Sequence, residues 1–412
     1  MLASVVRRIP AWIPLIISFA LSIFWLIDAP LFLSEGILRP YYHIDLDVYR
    51  AGGQAWLAGE HLYAQDYQVS SGMILPFTYP PLAAAIFSAL NIASLPVVSV
   101  VWTVASWAGL WVCLWLVLRP LKKDAAATWA AWCMVPAALA EPITENFSFG
   151  QINILLALIV LVDFLVLPRR LRGVLLGLAI SIKLTPAVFV LIYFARREWR
   201  ALATTAGASI AWVGVGFVSA PASSRDYWLS TLRDSERIGG LAYSSNQSLR
   251  GFLERVGAGD WWLAGVVVII LVCGAAVYRV RAGGMVPMIL IAAQLSLLAS
   301  PVSWSHHYVW LVLLAAYVTA LVPRSVWLAG LLWLVLFARG HWLVPNTQNQ
   351  ELEWSLWQAI PGNDYFWLSW VVALCALVAP RYICGGFIDQ PSTGTLLKAH
   401  SASAPTTEMP KQ

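Results

Sequence analysis

Two carboxylates two residues apart open the chemistry of this chain: Asp45 and Asp47, in the run Tyr-Tyr-His-Ile-Asp-Leu-Asp-Val-Tyr-Arg from Tyr41 to Arg50. They stand just beyond a hydrophobic segment, in a polar stretch from Glu35 to Pro81 that ends on Pro-Phe-Thr-Tyr-Pro-Pro. Later polar motifs are Glu141 to Asn153, Lys183-Leu184-Thr185-Pro186, Ser244 to Gly251, and Ser300 to Tyr308 with the pair His306-His307. A carboxylate, a lysine and a histidine pair suit transfer of a sugar from a lipid phosphate to an acceptor hydroxyl. The hydroxyl is a poor nucleophile, so a carboxylate must take its proton as it attacks the anomeric carbon. The departing phosphate needs cations and donors where charge accumulates, and Lys183, His306, His307 and Arg250 are the candidates. Such a reaction requires neither a metal nor another cofactor.

Composition sets where this chemistry takes place. With 60% hydrophobic residues, 11% charged and 23 tryptophans, the 412-residue chain has too little polar surface to cover a water-soluble globule. It reads as one all-α integral membrane domain, residues 1–384, with 385–412 as a disordered cytoplasmic tail rich in Ser, Thr, Gly and Pro. The net charge of +5 is spread over short loops, which excludes a nucleic-acid stripe. The five cysteines have no short metal-type spacing and read as packing residues.

Lys and Arg positions give the orientation. Arg7 and Arg8 place the N-terminus in the cytoplasm, so residues 35–81 form a first outer loop and are read as the catalytic loop. Residues 82–94 are apolar but short, and read as an elbow in the outer interface. Spans then alternate between basic inner patches (Arg119 to Lys123, Arg169 to Arg172, Arg196 to Arg200, Arg279 and Arg281, Arg324, Arg381) and polar outer loops. The apolar run 173–195 is basic at both ends and broken at Lys183, so it is read as a hairpin. Arms of about ten residues rise only about 15 Å, which leaves the tip inside the membrane. The sum is about twelve crossings with both termini inside. Every polar motif then falls on the outer face, with Lys183 approaching from membrane depth.

Plainer readings stand beside these. Asp45-Leu-Asp47 is an Asp-x-Asp, a pattern that binds divalent metals elsewhere, yet three-residue patterns arise often by chance. Lys183 reads alternatively as a snorkelling side chain, the histidines as interfacial residues, and Gly150-Gln-Ile-Asn153 as a helix start. Asp28 and Asp163 read as helix-end residues. A lipid-linked sugar transporter is the rival class, although the one broken span has no counterpart in the other half.

In that order, Asp-Leu-x-Val-Tyr, Pro-Phe-Thr-Tyr-Pro-Pro, Gly-Gln-Ile-Asn, Lys-Leu-Thr-Pro, Asn-Gln-Ser-Leu-Arg-Gly and Ser-Pro-Val-Ser-Trp-Ser-His-His resemble glycosyltransferase family 87. The closest likeness is to its polyprenol-phosphate-mannose-dependent α-(1→2)-mannosyltransferases, and it runs from about Asp45 to Tyr308. The resemblance implies a GT-C fold in the plasma membrane, with its site on the extracytoplasmic face. It also implies a metal-independent, inverting transfer of mannose from β-linked polyprenyl phosphate to a glycolipid such as a phosphatidylinositol mannoside or lipomannan. The family's general base falls on Asp45; His306 and His307 are implied to face the donor phosphate, and Lys183 matches a Lys-x-x-Pro position. Asp47, Tyr49, Tyr79, Glu145, Gln151, Asn153, Asn246 and Gln247 complete the expected substrate-binding set. An arabinofuranosyltransferase using polyprenyl-phosphate arabinose is the alternative within the family.

Overall fold

In the computed structural model, the described residues are 10–28, 43–234, 236–321 and 325–384, without the side chains of 24–28 and 236. Arg7 and Arg8, the loop residues 35–42, the inner-patch Arg324 and the tail 385–412 lie outside them. Among the described residues the fold is helical, with one exception. A two-stranded antiparallel ribbon, β1 (Tyr67–Gln68) and β2 (Ile74–Leu75), lies within the polar stretch that ends at Pro81.

The polar stretch is therefore not loop throughout. Its aspartates sit in the first turns of an amphipathic helix, and a second short helix continues the elbow. In chain order the first elements are α1 (Trp12–Asp28), α2 (Ile44–Leu57), α3 (Pro81–Phe87), α4 (Leu95–Lys122) and α5 (Ala126–Leu139). Proline at the head of α3 has no N–H to leave unsatisfied, so the helix starts there at no cost. The elbow packs directly on α2, because a Cβ at Gly53 would lie 2.7 Å from the Phe87 backbone. Lys123, with φ 32°, ends α4, and α5 folds back against it.

Next come α6 (Glu141–Phe149), α7 (Asn153–Leu165), α8 (Val174–Ile182), α9 (Val190–Ala195) and α10 (Trp199–Ser219). Between α8 and α9, Lys183 is extended (φ −149°, ψ 130°) and a 3-10 turn runs from Thr185 to Phe189. The broken run does double back. Arg172 at its start is 3.2 Å from Glu198 at its end, which puts both basic flanks at one level. A Cβ at Gly177 would meet Thr205 and Ser209 of α10, so α8 lies tightly along that straight helix. Asp163 locks the foot of the hairpin. Its carboxylate accepts from the backbone N–H groups of Gly173, Leu175 and Leu176, three donors at the α8 N-terminus, and from the Tyr193 hydroxyl.

The last helices are α11 (Pro221–Leu229), α12 (Leu249–Arg255), α13 (Trp262–Val280), α14 (Met285–Ala299), α15 (Val309–Thr319), α16 (Val326–Ala338), α17 (Leu356–Gly362), α18 (Asp364–Val378) and α19 (Arg381–Cys384). Helices α14 and α15 form the centre, apolar on all sides and buried almost end to end. Among the described residues, three helical stretches are long and apolar enough to cross a bilayer, or four if α6 and α7, bent by 112°, count as one; shorter apolar helices of 10–17 residues accompany them. The protein is thus an all-helical membrane protein. All five cysteines are buried and free.

Replacing Asp163 by Ala strands several backbone donors and should cost about 2–3 kcal/mol. A lowered unfolding midpoint in detergent is expected, and an unchanged one would remove the locking role.

Candidate active site

Five segments of the chain meet beside one cavity of about 650 Å³. Helix α2 brings Asp45 and Tyr49, the Thr78–Pro80 stretch brings Tyr79, and the turn before α7 brings Gln151. The hairpin tip adds Lys183, and the outer turn after α14 adds Trp304 and His307.

Gly150 makes the first meeting possible. With φ 69° it ends α6 in the left-handed region and turns the chain into α7. Its missing side chain also lets α2 approach, since a Cβ there would lie 2.7 Å from His43 Cβ and 2.9 Å from Leu46 Cβ. The Gln151 Nε2 then donates to Asp45 Oδ2 at 2.6 Å. Burial pushes the Asp45 carboxyl up to about 6, against the opposing pull of the Gln151 hydrogen bond and the Lys183 charge. A carboxylate poised near neutrality is suited to general-base work.

Lys183 is held by uncharged partners. Its Nζ donates to Asn153 Oδ1 at 3.1 Å and Tyr79 Oη at 3.4 Å, and lies 3.3 Å from His307 Nε2. Burial first, and then the Lys183 charge, hold His307 well below the usual imidazole range, so the ring is neutral. A neutral ring accepting from the ammonium at Nε2 carries its proton on Nδ1, which makes it a second donor beside the lysine.

Other expected residues lie elsewhere. Asp45 and Asp47 are two positions apart on a helix and so point to different faces. Asp47 does not line the cavity, and its Oδ2 accepts from the Ser70 backbone at 2.7 Å. The Asp-x-Asp is therefore not a facing pair. His306 is buried behind His307, edge-on to Phe149 at 5.3 Å between centroids, and is absent from the cavity wall. Its carbonyl accepts from Asn146 and Asn153.

Asn246 and Gln247 are fully buried and act as lacing for the outer turn. Asn246 Oδ1 accepts from Ser303 N at 2.9 Å, and Tyr308 Oη donates to the Gln247 carbonyl at 2.6 Å. The Gln247 amide donates to the carbonyls of Ser244 and Gly362. Arg250 is paired with Glu254 at 2.6 Å and donates to the Gly259 carbonyl, away from the cavity. Glu145 also lies outside the cavity wall; burial and the Glu141 charge push its carboxyl up to about 8.

Sequence reasoning passed over a buried polar cluster that supports this face. His341 Nδ1 lies 2.8 Å from Asp364 Oδ1, its Nε2 lies 3.5 Å from Glu141 Oε1, and Tyr365 Oη donates to Glu141 Oε2 at 2.9 Å. It joins α6 to the C-terminal helices. A histidine and two acids in an otherwise apolar chain were the available signal, because buried charges there need partners.

The cavity then changes character. Beyond Lys183 its wall is apolar, with Leu184, Val188 and Leu191 from the descending arm of the hairpin, Ile270 from α13 and Leu295 from α14. One end can hold charged and hydroxylated groups and the other a hydrocarbon chain.

The chain is also similar to known proteins. The family model for glycosyltransferase family 87 matches residues 77–301. A polyprenol-phosphate-mannose-dependent alpha-(1-2)-phosphatidylinositol mannoside mannosyltransferase of Mycolicibacterium smegmatis is 37% identical over 376 residues, covering 82% of this chain and 84% of the relative. The protein of that name from Mycobacterium tuberculosis is 39% identical over 295 residues, 66% and 69% of the two chains. A phosphatidylinositol pentamannoside mannosyltransferase of M. smegmatis is 35% identical over 284 residues, 65% of this chain and 67% of the relative. No solved structure matches. A family model matched over residues 77–301, and a relative 37% identical over 82% of this chain, identify the chain as a member of glycosyltransferase family 87.

Proposed function

We propose that this glycosyltransferase moves mannose from polyprenyl-phosphate mannose to a phosphatidylinositol mannoside, or a lipomannan-type glycolipid, forming an α-(1→2) linkage with inversion. The observation that carries the reading is a single cavity whose wall holds a base, an ammonium and an apolar lane. The names of the relatives supply the sugar and the two lipids.

In this reading the acceptor 2-hydroxyl gives its proton to Asp45 as its oxygen attacks C1 of the mannose. The bond from C1 to the phosphate oxygen breaks, and polyprenyl phosphate leaves. Lys183 and the Nδ1–H of His307 meet the charge that gathers on the departing phosphate. A single displacement on a β-linked donor yields the α product. The first isoprene units lie along Leu184, Val188 and Leu191. The positive-inside pattern supports about twelve crossings of the plasma membrane, both termini cytoplasmic and the site on the extracytoplasmic face.

Asp45→Asn should lower kcat/KM by about 100- to 10,000-fold, the usual worth of a positioned base, whereas Asp47→Asn should stay near wild type. Equal losses in the two variants, measured by mannose transfer in detergent, would reject Asp45 as the base. The base works ionised, and burial has pushed its carboxyl up to about 6. Wild-type kcat/KM should therefore climb as pH rises through about 6 and level off above it; a profile flat across that region would contradict the assignment. Narrowing the apolar lane with Leu191→Trp should raise KM for a long-chain donor about tenfold through overpacking, and should change little for a donor with one or two isoprene units. An equal effect on both donors would place the lipid elsewhere.

A further inference from the structure

We propose that Gln151 is a positioning residue that selects which oxygen of Asp45 takes the proton, as the last link of a one-way hydrogen-bond chain that begins at Lys183. The inference rests on Asp45 being the base in the reaction above.

The chain runs through four contacts. Lys183 Nζ donates to Tyr79 Oη at 3.4 Å, and the Tyr79 and Tyr49 hydroxyls are 2.9 Å apart. Tyr49 Oη donates to Gln151 Oε1 at 2.9 Å, and Gln151 Nε2 donates to Asp45 Oδ2 at 2.6 Å. A carboxylate has only acceptors, so the Gln151 nitrogen must face it and the amide oxygen must accept from the tyrosines, while the ammonium at the other end has only donors. The Gln151 amide has no freedom to flip: its oxygen faces two tyrosines and its nitrogen faces the base. Tyr79 Oη also lies 3.4 Å from Gln151 Oε1, so either tyrosine can supply the proton which that oxygen accepts.

Oδ2 is thereby committed, and Oδ1 takes no hydrogen bond among the described residues while Asp45 lines the cavity. The proton of the acceptor hydroxyl goes to Oδ1. The charged and titratable groups around the base are few. Lys183 acts on it through space from the hairpin tip with His307 behind, Tyr79 stands in the Thr78–Pro80 stretch, and His43, Asp47 and Tyr49 lie on or beside its own helix. Of these, Asp47 is engaged by Ser70. Gln151 is the side chain that hydrogen-bonds the carboxylate directly, so it fixes the direction of the base and favours its ionised form against the larger, opposing effect of burial.

The test is the pH profile of mannose transfer by the full chain in detergent, with polyprenyl-phosphate mannose and a phosphatidylinositol mannoside. Gln151→Leu keeps the bulk and removes the donor. Its acid limb should move to higher pH by about one to two units, the equivalent of a charge-assisted hydrogen bond, with activity largely recovered above it. Gln151→Glu should turn the rising profile into a bell, because the two carboxylates work only while they share one proton. Tyr49→Phe, which unpins the amide oxygen, should shift the limb in the same direction by less, and serves if Gln151→Leu fails to fold. Activity lost equally at every pH, with the limb where wild type has it, would overturn the proposal and leave Gln151 a packing residue. An active Asp45→Asn enzyme would instead remove the base assignment itself, whatever the Gln151 variants do.

Discussion

A lysine ammonium buried among apolar helices is the constraint around which the site is arranged. Such a charge is tolerated only where polar partners converge on it, and here the partners come from three distant stretches. Asn153 heads α7, Tyr79 ends the outer loop and His307 lies in the turn after α14. Satisfying Lys183 therefore brings those stretches together. The carboxylate of Asp45, the nearby opposite charge, is coupled to it through Tyr79, Tyr49 and Gln151. Fold and chemistry depend on the same contacts, which is why the hairpin must end where it does.

The hairpin and the lacing of the outer turn serve that arrangement from opposite sides. Asp163 and the Arg172–Glu198 pair hold the foot of the hairpin, so the tip is displaced into the protein and faces the cavity. Asn246, Gln247 and Ser248 bind the backbone of residues 301–303, and Tyr308 ties the far end of the turn to Gln247. His307 is thereby presented beside Lys183 while His306 turns inward. Two adjacent histidines thus take different parts because a 3-10 turn places neighbouring side chains about 120° apart.

Much of this was legible in the sequence, and for one physical reason. In a chain with so few charges, a carboxylate at a membrane boundary and a lysine inside an apolar run each demand an account. The Asp45–Asp47 pair, Lys183 and the doubling back at Lys183 are singled out by that demand, whereas the preference for Asp45 rests on the family resemblance. What could not be read was pairing over long separations. Arg250 stands in a polar motif but its partner is Glu254, one turn along the same helix. Asp47 looks equivalent to Asp45 until the segment is seen to be helical, when the two turn to different faces. Gly150 carries no visible chemistry, yet its left-handed φ and lack of a side chain let His43 and Leu46 close on the Gln151 turn. The Glu141, His341 and Asp364 cluster joins residues more than 200 positions apart, and no local pattern announces it.

The most direct measurement of the central claim follows labelled mannose from polyprenyl-phosphate mannose with purified wild-type protein in detergent and a phosphatidylinositol mannoside as acceptor. The account predicts stoichiometric appearance of free polyprenyl phosphate and a mannolipid whose new sugar is released by an α-(1→2)-specific mannosidase. Donor that binds but surrenders no mannose, or a product resistant to that mannosidase, would contradict it.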